Sequence, residues 1–477
     1  MCHTDKIILS LSTVLLLGCS TSPSYPPSEI IAPQATRNGT QIIQNQHDLS
    51  QVMWWKKMHD PVLNHLIEDA LAHNNQIITA QANTLEAQAK LKAAQFAWVP
   101  TLNATGSGFT GATFDNDLTP KGILATSRAL SNQGDMHFRG YYSGFVPSYS
   151  LNIIQNIHAN KLAKASLDMQ IAVYDSTRLS IISQVSGAYF MLLGHKAQQK
   201  NQLQLVHDLE KSRQLEKIRF KDGASDLSTV AQMDKQISNA EASLASTNNS
   251  IAQVENAIQV LINHNPGPID THQSITTLSV KGMIPPNLPS SVLKNRPDMV
   301  MAEENLKKSM ANLGLAYSQF FPAITLTGLL GGASVNLSRL LSVSTGLWVT
   351  QVAGSMPLLN GAAYQQINAA KAGTKAAYYS YLQTVRSVFA NVDNSLTNQQ
   401  QMNEAYHHQF NALKASQATY SLVLARYSAG AKDYREVINA KINVDYAKLD
   451  LNLAKMQQLD SIVQVYQALA GGYHSPT

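Results

Sequence analysis

The sequence predicts a mostly α-helical chain with a smaller membrane β part, built from two related halves. Three observations lead to this fold class. Proline is absent from two long windows, residues 148–265 and 358–475, and a proline costs a helix interior about 3 kcal/mol. Two other stretches, 99–151 and 322–359, are rich in Gly, Ser, Thr and aromatic residues. Short motifs of the first half recur in the second, which indicates internal duplication.

The composition of the 477 residues excludes several classes of protein. Charged residues make up only 14%, whereas an average soluble domain carries about 25%. Because the mean hydropathy is also close to neutral, at -0.14, the chain fits neither a polytopic helical membrane protein nor a highly charged disordered chain. The net charge of +5 is spread thinly, which gives no support to nucleic-acid binding. Both cysteines lie among the first twenty residues, so the body of the chain has no disulfide framework.

The amino-terminal residues resemble a bacterial lipoprotein signal. Lys6 precedes a short apolar run that ends in Leu-Leu-Gly just before Cys19, a pattern typical of a cleaved signal and not of a membrane span. A buried strand or helix segment is the alternative. The resemblance implies that 1–18 form the signal peptide and that Cys19 carries a covalent lipid anchor. We expect residues 19–60 to form an extended tether followed by an equatorial segment.

The two proline-free windows predict very long helices. Apolar residues recur every three or four positions along them, as on the buried stripe of a helix. Each window has one expected break, near Gly223 and near Gly430. The first arms, 155–222 and 362–429, are therefore about 100 Å long at 1.5 Å per residue. Helices of this length predict a coiled coil or a barrel of helices.

The glycine- and threonine-rich stretches predict strands. Ile324, Leu326 and Gly328 alternate with threonines and a leucine, as expected of a strand with two different faces. Each stretch has room for two strands of about ten residues, joined by loops near 115–135 and 332–345. Such strands fit a membrane β-barrel, and a soluble hairpin is the alternative.

Four strands per chain are too few for a membrane barrel, since single-chain barrels start at about eight. Open sheet edges are not tolerated in lipid. Several chains must therefore share one barrel, and three chains would give twelve strands whereas two would give eight.

The repeated motifs divide the chain. Arg219–Leu227 matches Arg426–Tyr434 at an offset of 207 residues, and a motif before the strands recurs at an offset of 222. In each half the predicted order is helix, two strands, long helix and helix. We assign 61–270 to a first structural repeat and 271–477 to a second.

Taken together, the motifs resemble those of the outer-membrane efflux proteins related to TolC, in the lipoprotein branch typified by OprM. In chain order they are Trp54-Trp55, Asp60-Pro61, Arg296-Pro297-Asp298 with Glu303, Phe320-Phe321-Pro322, Arg426-Tyr427 with Gly430, and Tyr466-Gln467-Ala468-Leu469. The resemblance implies a homotrimer with one twelve-stranded β-barrel continued by a long α-helical barrel in the periplasm. It also implies a periplasmic adaptor, an inner-membrane RND-type pump, and passive conduction of drugs or other small molecules to the exterior.

Two other functions stay open at this point. One is the outlet of a type I protein secretion system, and the other is a periplasmic coiled-coil scaffold lipoprotein without a pore. No catalytic reading has support: the GxGxxG match at 106–111 opens no predicted helix, and His407 and His408 point to different helix faces. We expect no enzyme activity, no metal and no cofactor besides the lipid on Cys19.

The resemblance places a constriction at the periplasmic end of the long helices. The gate candidates are Arg426, Tyr427, Asp433, Tyr434, Glu436 and Asn439. The adaptor-contact candidates are Lys221, Asp222, Gly223, Asp226, Gly430 and Lys432. The expected structural motif is Arg296, Pro297, Asp298, Glu303 and Pro322, which brace the segments before a helix and a strand. Asn439 stands where the family has an acid, which weakens the case for a ring of carboxylates at this mouth.

Overall fold

A computed structural model describes residues 42–43, 51–112, 137–284, 288–289, 296–342 and 346–474. Cys19, the predicted signal peptide and most of the predicted tether lie outside the described residues. The described part is mainly helical and contains one four-stranded antiparallel sheet, in agreement with the predicted fold class.

The first half of the chain begins its helical part where Asp60 caps a helix. The Asp60 carboxylate accepts the backbone N–H groups of Val62 and Leu63 at 2.9 and 3.3 Å, and a proline occupies the first helical turn, as is favourable at a helix start. The elements are β1 (Ile42–Ile43), α1 (Pro61–His73), α2 (Asn75–Phe96), β2 (Thr101–Ala112), β3 (His137–Ser150), α3 (Ile153–Lys221) and α4 (Leu227–Leu261).

The second half repeats the order from the second helix onward. Its elements are β4 (Leu288–Pro289), α5 (Pro297–Ser318), β5 (Ala323–Ser334), β6 (Gly346–Ser355), α6 (Gly361–Ser428) and α7 (Tyr434–Ala468). Helices α2 and α5 both have 22 residues, α3 and α6 have 69 and 68, and α4 and α7 both have 35. These matched lengths are what an internal duplication produces.

The sheet has the strand order β2-β3-β5-β6, with every pair antiparallel. Within the described residues, β2 and β6 each have one unpaired edge. A short parallel pair joins β1 to β4 separately.

Successive side chains of a strand point to opposite sides of the sheet. The sheet therefore has two faces, and they differ in polarity. The registers place most of the large apolar residues on one side, which we call the apolar face. It includes Leu102, Tyr141, Phe145, Tyr149, Leu326, Leu330, Trp348 and Val352, together with the polar Thr110, Arg139, Ser143 and Thr350. The opposite side, the polar face, includes Thr105, Ser107, Ser148, Thr325, Thr327 and Gln351, together with the apolar Phe109, Val146, Leu329 and Val349. On the apolar face Trp348 is 74% exposed and Val352 is 72% exposed. Membrane barrels have this division, with apolar residues toward lipid and polar ones toward the lumen.

The described residues pack as two compact units that each draw on both halves of the chain, and the ranges below refer to their described parts. One contains Gln88–Ala165 and Lys307–Ala376, which include the sheet. The backbones of β3 and β5 leave no room for a side chain where Gly144 pairs with Gly331, since a Cβ on Gly331 would lie 2.1 Å from the carbonyl oxygen of Ser143.

The other unit contains Ser24–Ala87, Ser166–Leu306 and Ala377–Thr477. Its core stacks Trp54 on Tyr466 with ring centroids 4.8 Å apart, and Tyr189 donates to the Asp60 carboxylate at 2.7 Å. None of the described helices has a stretch long and apolar enough to cross a membrane.

Candidate functional site at the helical hairpin tips

The two long hairpins, α3–α4 and α6–α7, turn with the same local structure. Gly223 and Gly430 end α3 and α6 with φ of 73° and 74°, a left-handed conformation that glycine adopts without a Cβ penalty. Three residues later, Asp226 and Asp433 cap the following helices, α4 and α7, with their carboxylates. The left-handed glycine and the aspartate cap together explain why the chain turns sharply at both places.

A short ion pair joins the two hairpins close to their tips. Arg219, near the end of α3, places Nη1 2.6 Å from Oδ2 of Asp433. The other oxygen of Asp433 accepts the backbone N–H of Arg435 at 3.2 Å as part of the helix cap. One carboxylate therefore starts α7 and also holds the neighbouring hairpin. Both side chains are substantially exposed, so the pair contributes at most about 1 kcal/mol and is weak enough to be broken.

A buried carboxylate lies beside this pair. The side chain of Glu216 is only 2% exposed and accepts the hydroxyl of Ser225 at 2.8 Å. Its oxygens also lie 3.8 Å from Nε of Arg219 and 3.6 Å from Nη1 of Arg435. A buried charge needs such partners, because removing them leaves its desolvation uncompensated.

Sequence reasoning did not select Glu216, Arg219 or Arg435. The repeat does give one signal for Arg219, because it aligns this residue with the gate candidate Arg426. No local pattern distinguishes Glu216 from the other charged residues of a long helix.

The predicted gate residues lie close together at the second tip, although they do not all interact. Tyr427 and Tyr434 pack against each other with ring centroids 5.2 Å apart, and Lys432 pairs with Glu436 at 2.7 Å. Arg426 is exposed and has no side-chain partner among the described residues.

Asn439 is also exposed, one turn further along α7 than Glu436. Arg426 and Asn439 are thus available to a neighbouring copy.

The predicted adaptor contacts lie on the two turns. Lys221, Asp222, Gly223, Asp226 and Gly430 are exposed, and Lys432 is half-buried. The pKa of Asp226 is lowered by hydrogen bonds from the Ser228 hydroxyl and the Thr229 backbone N–H. The cap therefore keeps its negative charge to a lower pH than an ordinary aspartate does.

A second ionic cluster joins α3 to α7 farther from the tips. Nζ of Lys441 lies 3.2 Å from Oδ2 of Asp208 and 2.9 Å from Oδ1 of Asp445. Burial raises the pKa of Asp445. Burial also acts to raise that of Asp208, but hydrogen bonds, led by the one from Gln204, outweigh it and lower the pKa. The two hairpins are thus joined at two levels by charged groups.

Three residues of the expected structural motif, Arg296, Pro297 and Asp298, lie where α5 begins. Arg296 is buried and forms two bonds to the carboxylate of Asp298, at 3.0 and 2.6 Å, and a third to the backbone carbonyl of Ala468 at the end of α7. Pro297 is the first residue of α5, and Pro322 directly precedes β5. Glu303 lies on the exposed side of α5.

The chemistry of these groups is that of reversible ion pairs and hydrogen bonds. Among the described residues, no three His, Cys, Asp or Glu side chains are grouped so as to hold a metal ion.

The sequence is similar to known proteins over most of its length. Residues 66–264 and 288–471 match the family model "Outer membrane efflux protein". The chain is 27% identical to the cation efflux system protein CusC of Escherichia coli K12, over 98% of this chain and 99% of that protein. It is 26% identical to the probable outer membrane lipoprotein SilC of Salmonella typhimurium, over 98% of each.

A solved structure shares the fold. The CmeC outer membrane channel of Campylobacter jejuni superposes with a TM-score of 0.81 at 22% identity, covering 95% of each chain. The family match extends over most of the sequence, including both tips and all four strands of the sheet. The chain therefore belongs to the outer membrane efflux protein family and forms the trimeric outer-membrane channel of a tripartite efflux system, which works with a periplasmic adaptor and an inner-membrane pump.

Proposed function

We propose that the channel conducts small molecules passively, without a chemical step of its own, and that the hairpin tips close its periplasmic entrance at rest. The ion pair between Arg219 and Asp433 is the observation that carries this proposal. It fixes one hairpin against the other at the point where the long helices end. Threefold symmetry repeats the pair around the axis, so that three weak contacts act together.

The exposed residues of the second tip would complete the closure between copies. Arg426 and Asn439 are exposed, and Tyr427 and Tyr434 present a pair of rings that are each 41% exposed. In a trimer with threefold symmetry, the neighbouring copy presents the same carboxylates, carbonyl groups and aromatic rings at the same level along the axis. An adaptor that contacts the turns around Lys221–Asp226 and Gly430–Lys432 would compete for the same charges and thereby open the entrance.

The proposal also includes the membrane anchor. Cys19 follows a signal of the lipoprotein type, and the relative SilC is named an outer membrane lipoprotein. A lipid on Cys19 would hold the amino terminus at the membrane independently of the strands.

The test separates the two roles of Asp433. In Asp433→Asn the amide still caps α7, because Asn is as good a cap as Asp, but the charge that attracts Arg219 is lost. We expect a higher resting conductance in planar bilayers and greater uptake of bulky antibiotics by cells without the pump.

Asp226→Asn is the matched control, because this cap has no arginine among its described partners. It should leave the conductance unchanged. Arg219→Gln, which removes the other charge of the pair and leaves the cap of α7 intact, should raise the conductance in the same way. Equal conductance of Asp433→Asn and wild type, at equal trimer levels, would contradict the closed resting state.

A further inference from the structure

The apolar face of the sheet carries one charge. The described strands β2, β3, β5 and β6 contain no Asp, Glu or Lys, and their single arginine is Arg139. Arg139 pairs with Thr110, and Tyr141 pairs with Gly108 in the same unbroken register. Because Arg139 is two residues from Tyr141 and four more from Phe145, it lies on the same face as both. Its side chain is exposed.

The depth of Arg139 follows from the strand itself. Tyr149 and Tyr141 lie on the apolar face of β3, eight residues apart, which is about 27 Å along the strand. With the usual barrel tilt of about 40°, they are about 21 Å apart along the membrane normal. This distance is close to the apolar band of about 25 Å in such barrels, whose borders are marked by aromatic residues. Arg139 lies about 5 Å beyond Tyr141 by the same calculation, at the level of the lipid headgroups.

The orientation of the strand identifies the leaflet. Helix α2 leads into β2 at Thr101, and α3 follows β3 after Ser150, so the helices attach at the Tyr149 end of β3. In this family the helical part extends into the periplasm. The Arg139 end therefore faces the exterior, and its guanidinium lies outside the barrel wall, beside the outward-facing leaflet.

We propose that Arg139 binds an anionic phosphate in the headgroup of a lipid of the outward leaflet, with one such site on each protomer. A guanidinium donates two parallel hydrogen bonds to a phosphate, which makes it the side chain best matched to this group. Among the described residues of the four strands, Arg139 carries the one formal charge, and its side chain is exposed.

The experiment measures lipid binding to the intact, delipidated trimer in an uncharged detergent. The probe is diphosphoryl lipid A, compared with the same lipid after removal of both phosphates. The wild-type trimer should bind the phosphorylated probe more tightly, and added salt should reduce the difference. Arg139→Gln should weaken binding of the phosphorylated probe about fivefold, and Arg139→Lys should weaken it less, because the charge is retained.

Arg386→Gln is the matched control. It removes the same charge from an exposed position on α6, away from the sheet, and should bind the probe like the wild type. Equal binding by Arg139→Gln and wild type would overturn the proposal, as would equal binding of both probes by the wild type. The latter result would mean that the lipid is held by apolar contact alone.

Discussion

At the scale of single residues, Lys455 is a buried amine with neutral surroundings. It is 4% exposed, its Nζ donates to Oε1 of Gln458 at 2.9 Å, and it lies 4.9 Å from the centre of the Tyr406 ring. Burial lowers its pKa to about 8. The folded state therefore releases this proton at a lower pH than the unfolded chain does.

This difference in pKa determines how the free energy of unfolding changes with pH. Below about pH 8 both states are charged, and the folded state bears the full cost of burying the ammonium. Between about pH 8 and 10.5 the unfolded chain binds more protons than the folded one, so the free energy of unfolding rises with pH. Lys455→Met should remove this rise and increase stability at pH 7 by about 2 kcal/mol.

Unfolding followed by circular dichroism of the helices at several pH values checks this prediction. Lys414→Met is the control, since Lys414 is exposed beside Phe410 and 4.7 Å from its ring centre. A pH slope that persists in Lys455→Met, and matches the slope of the control, would show that other groups cause it.

For Asp433, the role as a helix cap is predictable from the sequence, but the ion-pair partner is not. Its place before a helix is visible in the sequence, because an aspartate after a glycine turn is a typical helix cap. Its partner Arg219 is 214 positions away, and only folding brings the two side chains together. The same holds for Glu216, whose burial depends on packing that no local pattern records.

At the scale of elements, Gly430 in a turn and Gly373 within a helix should respond oppositely to alanine. Gly430 has a φ of 74° and open space around it, so Gly430→Ala meets backbone strain of about 1 kcal/mol without any clash. Gly373 lies inside α6, also with open space. Gly373→Ala should therefore stabilise the helix by about 0.5–1 kcal/mol.

Amide hydrogen exchange distinguishes the two outcomes. In Gly430→Ala, protection should fall in the last turn of α6 and the first turn of α7, with little change elsewhere. In Gly373→Ala, protection in the surrounding turns should stay equal or rise. Losses of the same size at both sites would argue against the left-handed cap as the cause.

The elements were the most predictable part of the molecule. The predicted long arms, 155–222 and 362–429, agree within two residues with Ile153–Lys221 and Gly361–Ser428. This accuracy has a local cause, since proline and glycine act on the backbone at their own positions. The order of the strands and their registers depend on contacts between distant segments, and the sequence did not supply them.

At the scale of the whole molecule, assembly depends on the seam between β3 and β5. A Cβ on Gly331 would lie 2.1 Å from a backbone oxygen of β3, so Gly331→Ala must force the two strands apart. The four strands of one chain then cannot form the sheet that three chains join into a barrel. We expect Gly331→Ala to yield no heat-sensitive trimer on semi-native gels, although its helices still form.

Gly354→Ala is the matched control on β6, because a Cβ there meets nothing within 4 Å. It should assemble and support efflux normally. A normal trimer from Gly331→Ala would show that the β3–β5 seam adapts, and that close approach at this glycine is not needed for assembly.

The open edges of β2 and β6 also have a genetic consequence. Each barrel needs three competent chains, since a single defective sheet interrupts the ring of strands. When equal amounts of defective and normal chains are made together and mix at random, only about one trimer in eight contains three normal chains. An allele that spoils the sheet but leaves the helices able to associate should therefore be dominant over the wild-type gene, whereas an allele that prevents folding altogether should be recessive.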